Sequence, residues 1–188
     1  MTQKLWLKKL KLDYNKNVTD IVQFGSSITK EEPNDIDIAV IFNKIQIKEQ
    51  LLESQKIKRQ LEKFSEKPIH INSFDLYSLF ENSNFARENI LHQGKSLITG
   101  KQFSEKLGLK PKIHIYYSLK NLKKKDKIRF NYLLSGKQGS YGLLRKYHGK
   151  LLKPGLIEIS PEFELIFIEA IKKFNIKFEV NKVFLQQP

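Results

Sequence analysis

The chain has 188 residues, 40% of them hydrophobic, and its 34 lysines and arginines outnumber 20 aspartates and glutamates for a formal net charge of +14. That length allows one ordinary domain or two small ones, and no apolar run approaches the roughly 18 residues of a membrane span. The lack of cysteine excludes disulfides, thiolate zinc sites and a cysteine nucleophile, so a soluble, cytoplasmic protein that does not contact membrane is expected.

The opening MTQKLWLKKLKL reads as a short amphipathic basic helix over residues 2–12. It has neither the apolar centre nor the small-residue cleavage site of a secretion signal, and is expected to be part of the fold. Residues 18–24 form a strand that stops at Gly25, and residues 36–42 form a second strand rich in β-branched side chains. Residues 45–64 read as a long charged helix with Leu51, Leu52, Ile57, Leu61 and Phe64 as its apolar face. Pro68 opens a short strand over 69–72. Helical segments follow around 76–80 and 85–92, Gly94 ends the second of them, and 95–98 add a short strand. The order α-β-β-α-β-α describes an α/β unit of about 100 residues.

Gly100, Gly108 and Pro111 mark a boundary, and the charge changes there too. Residues 1–100 hold 15 basic and 13 acidic residues, whereas 101–188 hold 19 and 7. Beyond the boundary, 112–118 reads equally as strand or helix. Residues 122–134 read as a helix, 135–142 as a glycine-rich polar turn and 143–147 as a short helix. Residues 151–152 pair with 157–159 across Pro154-Gly155 as a hairpin. Ser160 is placed to cap a helix running from Pro161 to Phe174, with Glu162 and Glu164 favouring its first turn, and 177–185 close the chain as a strand. The fold class expected is α/β (α+β), with a small mixed-sheet core over 1–100 and a basic α/β module over 110–188.

The stretch FGSSITKEEPNDIDIAVIF carries the chemistry. Positions i and i+2 of a strand project to the same side, so Asp35 and Asp37 converge while Ile36 and Ile38 pack the other way. Two adjacent carboxylates repel, and one would take up a proton unless a cation shares them. Mg²⁺ prefers oxygen ligands and keeps positions open for substrate phosphates. Upstream, Gly25 lets backbone approach a ligand closely, and Ser26 offers a hydroxyl and an N–H to a phosphate oxygen. Ser27 adds a second hydroxyl or caps the turn. A phosphate grip beside paired carboxylates is the minimum apparatus for nucleotidyl transfer.

Gly25-Ser26, eight residues, then Asp35-x-Asp37 in an apolar strand resembles the signature of the DNA polymerase β nucleotidyltransferase superfamily, and most of all its minimal nucleotidyltransferase branch. The resemblance covers residues 1–100. It implies transfer of a nucleoside monophosphate from ATP or another NTP to a hydroxyl, with Mg²⁺ or Mn²⁺ on Asp35 and Asp37 and the triphosphate on Gly25, Ser26 and Ser27. The family usually has a third carboxylate on the next core strand. Here Ile69-His70-Ile71 puts His70 in that slot as a candidate catalytic residue, and Asp75 lies downstream as a poor substitute. A neutral histidine can act as general base or metal ligand near pH 7. His92, His114 and His148 show no zinc spacing and are expected to be structural or surface residues. Lys30, in the loop, is a further candidate for the triphosphate.

Residues 110–153 hold 13 basic residues against Asp126 alone, a field that attracts polyanions. Lys120, Lys123, Lys124, Lys125, Lys127 and Arg129 are candidate phosphate contacts, extended by Lys137, Arg145 and Lys146. Tyr116, Tyr117, Phe130 and Tyr132 are candidates to stack bases, although Phe130 at helical spacing with Leu133 and Leu134 reads first as core. The acceptor expected is nucleic acid, RNA before DNA. Two alternatives stand beside transfer to RNA: a nucleic-acid-binding protein on a catalytically degenerate scaffold, and a toxin–antitoxin type of module that modifies a partner protein.

Overall fold

Two β-branched stretches joined through a glycine turn make the centre of the first sheet. In the computed structural model, which describes residues 4–8, 10–137 and 140–186, the chain forms two units, residues 1–108 and 109–188. In the first, β1 (Val18–Phe24) and β2 (Ile36–Phe42) pair antiparallel, β3 (Ile69–Asp75) adds parallel to β2, and the two-residue β4 (Lys95–Ser96) adds antiparallel to β1. The order is β3-β2-β1-β4. A short turn of helix, α1 (Ser26–Thr29), joins β1 to β2, and α2 (Ile47–Leu61) makes the crossover to β3. Then α3 (Leu76–Phe80) and α4 (Arg87–Gln93) follow β3.

Both faces of this sheet are covered, which is why its central strands are apolar almost throughout. Ile36, Ile38, Val40 and Phe42 pack with Ile57 and Leu61 of α2 on one face. Ala39 and Ile41 pack with Leu79, Ile90 and Leu91 of α3 and α4 on the other. Asp37 shares the second face by alternation, but it sits at the start of β2 and is only partly buried.

Three expectations are corrected in this unit. No helix occupies the described part of residues 2–12 (residues 1–3 and 9 lie outside it); Leu5–Leu7 form one 3-10 turn. The chain then runs extended, with Leu10, Leu12 and Tyr14 packed against the core. Gln60 of α2 holds it at both backbone polar groups of Asp13, accepting from the N–H at 2.8 Å and donating to the carbonyl at 2.7 Å. The apolar side chains at every second position fit that extended path. The second correction concerns α2. Its buried residues are Gln50, Ser54, Ile57 and Leu61, while Leu51, Leu52 and Phe64 are exposed. Polar residues can sit inside because they are satisfied: Ser54 Oγ meets Ser73 Oγ at 2.7 Å, and Gln50 donates to the Ile45 carbonyl at 3.2 Å. Third, β3 runs on past Asn72 to Asp75.

In the second unit β5 (Leu109–Ser118) settles the ambiguity of 112–118 as strand. Pro111, Ile113 and Ile115 are buried while the residues between them are not, the period of two that a half-covered strand requires. β6 (Lys150–Lys153) and β7 (Leu156–Ile159) form the hairpin, and β8 (Lys177–Gln186) closes an antiparallel sheet of order β6-β7-β5-β8. Helices α5 (Lys124–Ser135), α6 (Leu143–Lys146) and α7 (Glu164–Lys172) supply Phe130, Leu134, Leu144, Phe167 and Ile171 to its core. Pro161–Phe163 form a 3-10 turn ahead of α7, and the Ser160 side chain makes no capping hydrogen bond. Among the described residues, no helix is long and apolar enough to cross a membrane.

Candidate active site

Strand register assembles the site. Phe24 of β1 is paired with Asp37 of β2, and Asp37 is paired with His70 of β3. Gly25 follows Phe24 directly, so the glycine turn, the acids and the histidine meet at one end of the sheet. Asp35 lies one residue before β2 and projects beside Asp37. His70 Nδ1 is 3.4 Å from Asp35 Oδ2 and 3.9 Å from Asp37 Oδ1. Each of the three residues offers a ligand atom, and these atoms lie within 4.8 Å of one another. That spacing and the two-oxygen, one-nitrogen donor set fit a single divalent cation.

The electrostatics carry the mark of a crowded pair. The Asp37 carboxyl is pushed above the ordinary aspartate value, first by burial and next by the charge of Asp35, while His70 pulls it down. The fold therefore holds negative charge where it is unfavourable unless a positive group joins it.

Gly25 lies beside Asp37 of this pair. It has φ +73°, and a Cβ placed there would stand 2.6 Å from Asp37 Oδ2. Only glycine avoids both the strain of that φ and the clash. Gly25→Ala is accordingly expected to lower stability by about 1 kcal/mol and to displace the Asp37 carboxylate, with metal affinity falling more than stability. Urea unfolding and manganese titration of the same variant measure the two effects; unchanged manganese affinity would show that Gly25 does not shape the site.

Ser26 is partly exposed at the start of α1. The Ser27 side chain is 1% exposed, accepts from Gln23 Nε2 at 2.9 Å and donates to the Phe24 carbonyl at 3.1 Å. The hydroxyl braces the turn and is not presented to a phosphate. Gln23, itself buried, also accepts from the Leu5 N–H at 2.9 Å, so the N-terminal turn and the glycine turn are tied through one side chain. Asp75 is no third acid either. Its carboxylate accepts from the Ser78 N–H at 2.7 Å in a capping box that starts α3, at the far end of β3 from His70, and this bond holds its carboxyl below the usual value. Lys30 is exposed in the loop. His114 pairs across the second sheet with Glu158 at 3.2 Å, a structural contact, and His148 is exposed.

In the second unit Lys120, Lys123, Lys124, Lys125, Arg129, Lys137, Arg145 and Lys146 are exposed and Lys127 is half-buried. Of the aromatic candidates, Phe130 is fully buried and Tyr117 packs edge-on against it at 5.4 Å, so both are core. Tyr116 and Tyr132 are exposed. Tyr132 lies under Lys137 Nζ at 5.8 Å. Sequence reasoning missed Tyr141, exposed and stacked by the Arg145 guanidinium at 4.2 Å; the signal available was its four-residue spacing from Arg145. Residues 138 and 139 of the glycine-rich turn lie outside the described residues.

No curated protein matches the chain. The protein family described as polymerase beta, nucleotidyltransferase matches residues 8–103, which is just over half of the chain and holds the whole site from Gly25 to His70. With that match and the strand-turn-strand placement of its acids, this protein belongs to the polymerase beta nucleotidyltransferase family.

Proposed function

We propose that this protein transfers a nucleoside monophosphate from an NTP to a hydroxyl on RNA, with Mg²⁺ or Mn²⁺ held by Asp35 and Asp37. The observation that carries the reading is the convergence of Asp35, Asp37 and His70 beside the Gly25 turn, within a nucleotidyltransferase domain. Gly25 and Ser26 hold the β- and γ-phosphates through backbone and hydroxyl. The bound cation would neutralise charge on the α-phosphate and the leaving pyrophosphate. The acceptor oxygen bonds to the α-phosphorus, the bond to the β-phosphate oxygen breaks, and pyrophosphate leaves with the hydroxyl proton released. Incubation with each labelled NTP, the metal and bulk RNA tests this, with labelled RNA expected. Label on a co-expressed protein instead would redirect the reading to a protein acceptor, and no labelled product would overturn transfer.

The second unit supports RNA as acceptor. Its exposed lysines on and beside α5, with Tyr132 and Tyr141 each next to a cation, combine phosphate contacts with rings able to stack unpaired bases. Replacing Lys123, Lys124 and Lys125 together with glutamine is expected to weaken RNA binding and to lower the slope of log affinity against log salt by about 2. Filter binding across a salt series reads this directly; an unchanged slope would remove α5 from the interface. The exposed His70 in the third-acid slot favours one second reading, an RNA-binding protein without turnover. That reading keeps the salt dependence and loses the labelled product.

A further inference from the structure

We infer that His70 is a direct metal ligand and that it makes this site select manganese and similar borderline cations over magnesium. The inference rests on reading Asp35 and Asp37 as the metal site.

The parallel register of β2 and β3 puts His70 level with Asp37. Although its side chain is 59% exposed, Nδ1 faces both carboxylates, at 3.4 and 3.9 Å. It is therefore the third corner of the triangle of donor atoms, all within 4.8 Å. A ligand at that corner is nitrogen where the family usually has oxygen. Mg²⁺ demands a near-ideal octahedron of oxygens and dehydrates reluctantly. Imidazole nitrogen favours the first-row transition ions, and their affinity for mixed nitrogen and oxygen sites exceeds that of magnesium. Charge points the same way. Two carboxylates and a neutral imidazole balance one divalent ion, with no third anion to help hold a second. The glycine turn borders the same carboxylate, since a Cβ at Gly25 would stand 2.6 Å from Asp37 Oδ2.

The test uses the full chain with manganese chloride as probe and pulsed electron paramagnetic resonance as readout, independent of catalysis. Bound manganese is expected to show hyperfine coupling to histidine nitrogen. His70→Asp is expected to bind manganese without that coupling and to lower the manganese-to-magnesium affinity ratio by roughly tenfold, the signature of one imidazole exchanged for a carboxylate. The substituted side chain is exposed on an edge strand, so the variant keeps the fold, which a thermal melt checks. Manganese that binds the natural protein without nitrogen coupling, yet is lost in Asp35→Asn, would overturn the role of His70 and leave the carboxylate site standing. Failure of the natural protein to bind manganese at all would overturn both.

Discussion

Replacing Asp35 and Asp37 together with asparagine is expected to abolish the proposed nucleotide transfer, by about a thousandfold or more, because the charge stabilisation that a cation held there would supply is worth several kcal/mol. The same double change is expected to leave the fold as stable as before, or more so. The reason is the direction of the Asp37 shift. Burial, then the charge of Asp35, raise its carboxyl above the unfolded value. In the window between those two values the folded chain holds a proton that the unfolded chain has released. Stability therefore falls as pH rises through that window, and above it the charge on Asp37 works against folding. Asparagine keeps the shape and removes the charge. Labelled-NTP transfer and urea unfolding, followed by the fluorescence of the single tryptophan, Trp6, give the two readings. Retained transfer would refute the site, and a large drop in the unfolding midpoint would refute the electrostatic account.

The largest effect on stability is expected at Asp20, another acid of the same sheet. It is fully buried on β1. One oxygen accepts from its neighbour Ile21 N–H at 2.8 Å and from Ser96 Oγ at 2.7 Å, and the other meets Lys106 Nζ at 3.2 Å. Lys106 also donates to the Thr19 carbonyl at 2.5 Å. One side chain thus ties β1, β4 and the turn at Phe103–Leu107 together. Here the charge is compensated on every side, in contrast to Asp37. Asp20→Ala strands the donors and is expected to destabilise the first unit by about 3 kcal/mol. Lys106→Met, at the more exposed end, is expected to cost less. Trp6 packs against the first unit's core, so its fluorescence in urea reports on the right part of the chain; a midpoint within error of the natural protein for Asp20→Ala would show the network to be dispensable.

Comparing these two acids shows what could be seen in the sequence. Asp35 and Asp37 stood out because their spacing inside an apolar run has a direct geometric meaning, and Asp20 did not, although it sits in an equally apolar strand. Its partners Ser96 and Lys106 are far away along the chain, and nothing local announces them. The same holds for α2. Leu51 and Leu52 are its most apolar neighbours in sequence, yet Gln50 and Ser54 are the buried ones. The choice of face was made by the partners available on the sheet, Ser73 among them. At the N-terminus, leucines at alternate positions were compatible with a helix or an extended strip, and the two hydrogen bonds to Gln60 decided for the strip.

Bond geometry along the chain acts locally, so β1, β2, the Gly25 turn between them and the shared side of Asp35 and Asp37 followed from the residues themselves. Which strand lies beside β2, and in what register, depends on how α2 closes its crossover and which apolar faces match. That is a property of the folded whole. The family resemblance singles out His70 for the third-acid slot; tertiary structure brought its Nδ1 to the two acids, set Gly25 beside Asp37, turned the Ser27 hydroxyl inward to Gln23 and committed Asp75 to capping a helix.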